Sequence, residues 1–343
     1  MKKPLLIVLM AAVAAVVVFW GRPKADKPEP IQKETRFLMD TYVTIQVPGD
    51  AQALKTIEKA FDRMEEVDRT FNVLNPESPL YRFNHGNTSI TDPEILALLE
   101  TSLEVSKESG GAFDITVYPL VDLWGFFRGA PAVPAQADIA ACLKRVGWRR
   151  LQIANGVLTK SKSDVEIDLG GIAKGYAVGE AVKVLKGAGV TSALVDAGGD
   201  IFAIGELRGK PWRVGIRNPR GEGVIGVLDV SDLTVATSGD YERFFEKDGV
   251  RYHHILNPAS GYPASELMSV TVICDDAARG DGLSTALFVL GVKKGMELVE
   301  RLDGVEAIMV TRDGRTLCSP GLKGRMTIAK VRAEENPIVS IGR

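Results

Sequence analysis

The sequence predicts an α+β fold, and three observations carry that prediction. One long segment in the first third repeats its apolar residues every three or four positions, and a second is bounded by a proline and a glycine pair as a helix would be. The middle third is dominated by short stretches in which apolar and polar residues alternate. Helices and strands then follow one another without the regular rhythm of a doubly wound parallel sheet.

The elements follow in order. Residues 22–35 are charged and proline-containing and read as a linker. Phe37, Met39, Thr41, Val43, Ile45 and Val47 occupy alternate positions, which predicts one strand. Leu54, Ile57, Phe61, Met64, Val67 and Phe71 recur at helical spacing. A second helix is predicted over 93–109, with Pro93 in its first turn and Gly110-Gly111 ending it. Residues 126–137 hold Gly129, Pro131 and Pro134 and read as a loop. Val165, Ile167 and Leu169 alternate with Glu166 and Asp168, which predicts a strand, and a helix follows over 172–185. Further strands are predicted at 193–196, 202–205, 212–217, 224–230, 233–237 and 269–274. A helix over 277–290 and a hairpin around Asp313-Gly314 close the fold. The main domain is expected over 36–330, with a tail over 331–343.

Ahead of the linker, Lys2 and Lys3 precede an almost purely apolar run from Pro4 to Trp20. This is the layout of a signal anchor or signal peptide over residues 1–21. The run is at the short end for a membrane span, which needs about 17–25 residues. Lysines before it would stay in the cytoplasm, so the body is expected outside, on the periplasmic side, anchored to the inner membrane or secreted. A net charge of −2, with no basic stripe, gives no reason to expect nucleic-acid binding. Cys142, Cys274 and Cys318 show no CxxC or zinc spacing. Buried free thiols, or one disulfide joining Cys274 and Cys318, are both open.

Four motifs could carry chemistry. In Asp168-Leu-Gly-Gly-Ile-Ala-Lys-Gly-Tyr176 a carboxylate, a glycine pair and a helix start lie in sequence, where backbone amides and Lys174 can meet a phosphate. It is neither a P-loop nor a GxGxxG turn. Asp281 and Thr285 are four apart, so a helix puts both on one face. Their hard oxygens suit Mg2+ when phosphate oxygens complete the shell. His253 and His254 are two of three histidines in the chain, and on a strand at most one would face a given pocket. In Gly110-Gly-Ala-Phe-Asp114 an aromatic ring and a carboxylate could hold a flat ring system. Each of these, taken alone, is also an ordinary turn, cap or strand end.

Their order carries more. Met39-Asp40-Thr41, Ser-Pro-Leu-Tyr-Arg-Phe-Asn at 78–84, Gly-Ala-Phe-Asp at 111–114 and Asp-Leu-Gly-Gly-Ile-Ala-Lys-Gly at 168–175 come first. Asp-Ala-Gly-Gly-Asp at 196–200, Ala-Thr-Ser-Gly-Asp-Tyr at 236–241, His-His-Ile-Leu-Asn-Pro-Ala-Ser-Gly-Tyr-Pro at 253–263 and Asp-Gly-Leu-Ser-Thr-Ala at 281–286 follow. Together they resemble the successive blocks of the ApbE family, the FAD:protein FMN transferases, across residues 36–325.

The resemblance implies an ApbE-type flavin transferase fold, with two lobes and FAD bound between them. It implies that Met39, Tyr81, Ala112, Phe113, Asp114, Asp168, Lys174 and Ile255 line the FAD site. The implied Mg2+ ligands are the backbone carbonyl of Gly171, the Asp281 carboxylate and the Thr285 hydroxyl, with Ser284 beside them. FMN would pass from FAD to a threonine or serine hydroxyl of an acceptor, and AMP would leave. His254 is the expected proton acceptor and Asp168 the alternative base. The implied partners are flavin-carrying subunits of membrane redox complexes, of the sodium-pumping quinone reductase or Rnf type. Asn257 stands where many members have aspartate, Leu74 where an aromatic is common, and an apolar run where many have a lipidated cysteine. Two rival functions share the site. One is a Mg2+-dependent FAD pyrophosphatase with water as nucleophile. The other is a non-catalytic flavin-binding protein, which would need neither the Asp281/Thr285 pair nor a histidine.

Overall fold

The computed structural model describes residues 29–328 except Asn87, Arg128 and Gly129, together with the backbone of 338–340. The segment expected as signal or anchor, half of the expected linker and most of the expected tail lie outside the described residues. Among the described residues no helix is long and apolar enough to cross a membrane.

The chain opens with an antiparallel hairpin, β1 (Ile31–Leu38) and β2 (Thr41–Pro48). Two expectations are corrected here. Strand structure begins at Ile31, inside the expected linker. The single strand expected from Phe37 to Val47 is two strands, turned at Met39 and Asp40, whose φ angles are 53° and 58°. Neither residue is a glycine or asparagine, so the usual hairpin signal is missing.

Three helices follow: α1 (Ala51–Phe71), α2 (Pro79–His85) and α3 (Pro93–Glu108). Side chains cap each start. Asp50 accepts from Gln52 N, Ser78 from Leu80 N, and Asp92 from both Glu94 N and Ile95 N. In α1 the buried Ile57, Phe61, Met64, Val67 and Phe71 form the predicted apolar stripe. Next come α4 (Tyr118–Leu123), α5 (Gln136–Leu143) and a small hairpin, β3 (Leu151–Ala154) with β4 (Val157–Lys160).

The segment 165–169 alternates as expected, with Val165, Ile167 and Leu169 buried, yet it belongs to no sheet. Its partner is a side chain. The Asn84 amide donates to the Ile167 carbonyl and accepts from the Ile167 N–H, both at 2.8 Å, as a neighbouring strand would. Asp168 N donates to Ile115 O at 2.7 Å. After this segment comes α6 (Ala173–Gly187).

The rest is mostly sheet. It comprises β5 (Ala193–Ala197), β6 (Asp200–Ile204), β7 (Glu206–Leu207), β8 (Lys210–Arg217), β9 (Val224–Val230) and β10 (Leu233–Gly239). A hairpin of β11 (Phe244–Lys247) and β12 (Val250–His253) precedes β13 (Leu267–Cys274). Helix α7 (Ala277–Val299) passes the expected end at Leu290. It breaks at Gly291, where φ is 74°, and resumes. The expected hairpin around Asp313-Gly314 joins β14 (Glu306–Thr311) to β15 (Thr316–Cys318). Two short strands, β16 (Met326–Ile328) and β17 (Ile338–Ser340), come last, β17 within the expected tail.

Eight strands make one antiparallel sheet in the order β1-β2-β5-β6-β10-β13-β14-β15. Alternate side chains on its strands enter two different cores. Val195, Phe202, Val272 and Met309 pack on the helical side with α1, α6 and α7. Leu194, Ile201, Val235 and Ile308 pack on the opposite side against Trp212, Val214, Leu228 and Val230 of a second sheet, β16-β9-β8-β17. A third, smaller core gathers Leu120, Trp124, Ile139 and Leu256 with the β11–β12 hairpin. The Trp124 indole ties it together by donating to Gly261 O at 2.9 Å. The two expected lobes are therefore a layered body and this aromatic cap. All three cysteines are free thiols, Cys142 and Cys274 buried and Cys318 exposed.

Replacing Asn84 by alanine leaves both polar groups of buried Ile167 unpaired. The expected cost is about 1–3 kcal/mol, read as a lower urea midpoint. An unchanged midpoint would mean that the 165–169 segment needs no clamp.

Candidate functional site

A cleft of about 380 Å³ lies between body and cap. Phe71, Phe113, Val121, Phe126 and Phe127 give it apolar walls, while Asp168, Lys174, His254, Asp281 and Thr285 supply polar groups. Met39, Ala112, Asp114, Gly171 and Ile255 also line it. Most residues named from the sequence thus meet in one place. Two do not. Tyr81 stacks on His85, with ring centroids 4.0 Å apart, and is not among the lining residues. Ser284 is fully buried behind the wall.

The polar end is built where α6 meets α7. Gly175, in the first turn of α6, donates its N–H to an Asp281 carboxylate oxygen at 2.9 Å. A Cβ at Gly175 would collide with the Ala277 carbonyl and lie 2.7 Å from Asp281 Cβ, so the helices meet there because the side chain is missing. Thr285 follows Asp281 by one helical turn, on the same face. Gly171 is close to both walls. A Cβ there would lie 3.2 Å from the Phe113 ring and 3.5 Å from Thr285 Oγ1. Asp281 is 2% exposed, and its second carboxylate oxygen lies 3.7 Å from Lys174 Nζ.

Lys174 also contacts Asp200, which is 2% exposed and begins β6. Burial works against the Lys174 ammonium, but Asp200 and Asp281 outweigh it and hold its pKa above the ordinary lysine value. Burial and the Asp281 charge raise the Asp200 carboxyl. Burial likewise raises Asp168, against a 3.0 Å hydrogen bond from Gly170 N and the charge of Arg243.

The two histidines separate as strand geometry requires. His253 is 1% exposed, and its Nε2 lies 2.8 Å from the Ala264 carbonyl, so Nε2 carries the proton. Its Nδ1 is buried without a hydrogen-bond partner. His254, one residue past β12, lines the cleft. Its Nδ1 lies 3.3 Å from the Arg243 carbonyl, which can only accept, so Nδ1 carries the proton and Nε2 keeps a lone pair. Burial, followed by Arg243 and His253, pushes the His254 pKa well below the ordinary value.

Some neighbours have structural duties. The Asp114 carboxylate accepts from Thr116 N, Thr116 Oγ1 and Trp148 N, at 2.6–2.8 Å. The amide of Asn257, where the family often has aspartate, accepts from Ala259 N at 2.9 Å, a bond a carboxylate would make equally well. Leu74 lines the cleft and is 43% exposed. Asp40 and Arg243 pair at 3.4 Å, both well exposed, which is worth little by itself. Sequence reasoning assigned no role to Ser238, Arg243, Phe126 or Phe127, all of which line the cleft. The Phe126-Phe127 pair inside a predicted loop was a usable signal, since exposed loops rarely spend two aromatics.

The ApbE family model matches residues 39–309. The chain belongs to the ApbE family. A Treponema pallidum protein named FAD:protein FMN transferase is 34% identical over 304 residues, 82% of this chain and 84% of its own. One from Vibrio cholerae with the same name is 33% identical over 301 residues, 85% of this chain and 90% of its own. Among solved structures, the ApbE protein of Thermotoga maritima gives a TM-score of 0.81 at 35% identity, covering 86% of this chain and 99% of its own. The flavin transferase ApbE of Vibrio cholerae gives 0.76 at 30% identity, covering 87% and 100%. The mixed architecture described above is therefore the ApbE fold.

His253 supplies a pH test. Burial lowers its pKa in the folded chain below the ordinary value of 6.5. The unfolded chain then binds the extra proton first, so stability is intact above about pH 6.5 and falls as pH drops below it. Glutamine at 253 can still donate to Ala264 but does not titrate. The melting temperature of His253→Gln is expected to fall less steeply between pH 7 and 5 than that of the unaltered chain. Parallel slopes would refute the assignment.

Proposed function

We propose that this chain transfers FMN from FAD to a threonine or serine hydroxyl of an acceptor flavoprotein subunit, with Mg2+, giving phosphoester-linked FMN and AMP. The observation that carries the reading is the composition of one cleft. Aromatic and aliphatic walls suited to an isoalloxazine ring stand beside Lys174, Asp281 and Thr285, which suit a diphosphate with its cation. The names of the relatives support the same reading.

The donor set fits Mg2+. The carboxylate of Asp281, the hydroxyl of Thr285 and the backbone carbonyl of Gly171 are hard oxygens, and the close approach of Gly171 to Thr285 supports their acting together. Among the described residues no group of three or more His, Cys, Asp or Glu is placed to hold a metal ion. When bound, Mg2+ supplies positive charge to the diphosphate oxygens as the bond between the phosphates breaks. Ser284 contributes no ligand in this reading, because it is fully buried and does not line the cleft.

The protein's own groups do the rest. The apolar walls and Phe113 hold the ring, and Lys174 presents a fixed cation to the phosphates. The acceptor hydroxyl oxygen bonds to the FMN-side phosphorus, and AMP departs with the electrons of the broken P–O bond. The hydroxyl proton goes to Nε2 of His254, the lone pair left free by the Arg243 carbonyl. The anionic diphosphate beside this imidazole opposes the effect of burial and Arg243, raising its basicity when it is needed. Asp168 is the second candidate base. We further propose that the acceptor is a flavin-carrying subunit of a membrane redox complex. The basic-then-apolar N-terminus supports work on the extracytoplasmic side.

The test is incubation with FAD, Mg2+ and such a subunit, following flavin fluorescence on the denatured acceptor and free FMN in solution. Covalent label, lost when the acceptor threonine is replaced, is the expected result. Free FMN without label, while a known transferase labels the same acceptor in parallel, would replace the proposal with a pyrophosphatase. Asp281→Asn, which keeps an acceptor for the Gly175 N–H, is expected to lower turnover by at least about 100-fold while metal-free FAD binding stays within about threefold, the pattern of a residue acting on the cation. His254→Ala is expected to lower kcat by about 10²–10⁴ with little change in FAD affinity. Equal losses in both would make His254 a binding residue.

A further inference from the structure

We propose that Ser238 is a positioning residue for the cation site, taking the proton of the Thr285 hydroxyl so that the oxygen's lone pairs are free to face the cleft. The inference rests on the reading that Asp281 and Thr285 hold Mg2+.

Ser238 lies near the end of β10 and lines the cleft. Its Oγ is 2.7 Å from Ser284 Oγ and 3.2 Å from Thr285 Oγ1. By distance alone either oxygen of each pair could be the donor, but counting protons decides. A serine hydroxyl has one proton to give. Ser284 Oγ is 2.8 Å from the Asp281 carbonyl oxygen, which only accepts, so the Ser284 proton is there. At the 2.7 Å contact Ser238 must therefore donate to Ser284. Its single proton is then used, and at the 3.2 Å contact Thr285 donates to Ser238. The relay runs one way, from Thr285 through Ser238 and Ser284 to the Asp281 carbonyl.

The direction matters for a cation. A hydroxyl that can rotate spends part of its time with its proton pointed at the metal, which repels it. Helical threonines commonly avoid this by donating to the carbonyl four residues back. For Thr285 that carbonyl belongs to Asp281, and it already takes the Ser284 hydroxyl. Ser238, from a strand on the other side of the wall, supplies the acceptor instead. Ser284 then has a definite task as well. Although it ligates nothing, it fixes which way Ser238 points. Partners that orient a ligand in this way are worth about 10–100-fold in metal affinity.

The experiment measures Mn2+ binding by electron paramagnetic resonance in the presence of FAD, with metal-free FAD binding followed separately by flavin fluorescence. Ser238→Ala is expected to weaken Mn2+ by about 10-fold or more while metal-free FAD affinity stays within about twofold. In a Thr285→Val background the same substitution is expected to cost nothing further, because the group it positions is gone. Unchanged Mn2+ affinity in Ser238→Ala, or losses that add in the double variant, would overturn the proposal. Thermal melting of each variant separates loss of the fold from loss of the relay. Asp281→Asn, which keeps the bond from Gly175 N–H, separates the proposal from the reading beneath it. If Asp281→Asn leaves Mn2+ binding intact, the cation site itself is misplaced. If it abolishes binding while Ser238→Ala does not weaken it, only the role of Ser238 fails.

Discussion

The hydrogen bond from Gly175 N–H to the Asp281 carboxylate sets the spacing of α6 and α7, and the rest of the site is arranged around it. No side chain fits between the helices at that point. Because they touch, the turn that opens α6 brings Gly171 and Lys174 to the face of α7 that carries Asp281 and Thr285. One oxygen of Asp281 locks the helices and the other faces Lys174. A residue so divided cannot be replaced by one that fulfils half the duty. Asparagine could still accept the Gly175 proton, yet it would remove the charge that a cation needs.

Rigidity for this arrangement comes from the eight-stranded sheet, which is covered on both faces. Every residue of β6 and of β13 is buried, an unusual condition for antiparallel strands and one that fixes their register. The strand β10 lies between them and carries Ser238 to the cleft. The polar end of the site is thus mounted on helices and strands that cannot shift without disturbing two cores. The cap contrasts with this. Its walls come from short helices, a two-stranded hairpin and the loop after Leu256, joined through Trp124. On the proposed function, a fixed chemical end and an apolar cap built from short elements suit a cleft that holds a dinucleotide while a much larger acceptor approaches.

Periodicity made most of this legible. The stripe of α1, the strands β5, β6, β8, β9 and β10, and the shared face of Asp281 and Thr285 follow from spacing alone. Elements were missed where the holding interaction is remote or chemically indirect. The turn at Met39-Asp40 uses two non-glycine residues at positive φ, which no local pattern announces. The 165–169 segment has the alternation of a strand, but its partner is one asparagine amide from a helix 83 residues earlier. Lys174 was visible as a phosphate-binding candidate, whereas Asp200, which holds it, falls just before the strand predicted at 202–205, where nothing marks it as a partner. Ser238 was the least visible of all. Its role depends on two hydroxyls of another element and on where their protons go, and a serine in a strand gives no hint of either. Tyr81 shows the converse. The block that contains it is placed by Asn84 as a clamp, and the tyrosine faces His85 rather than the cleft.

Charge at the polar end is balanced so that neither a phosphate nor a cation is well served alone. A diphosphate entering by itself meets Lys174, but it also meets the carboxylates of Asp281 and, behind it, Asp200. A divalent cation entering by itself meets Asp281, but it also meets an ammonium that its two acidic partners keep protonated. Brought in together, each neutralises the group that repels the other, and the low exposure of Asp281 and Asp200 keeps solvent from screening the effect. On the proposed function this couples flavin dinucleotide and Mg2+ to one binding event. It also gives the Ser238 relay its importance. On that reading, Ser238 fixes the orientation of one neutral hydroxyl among these opposing charges.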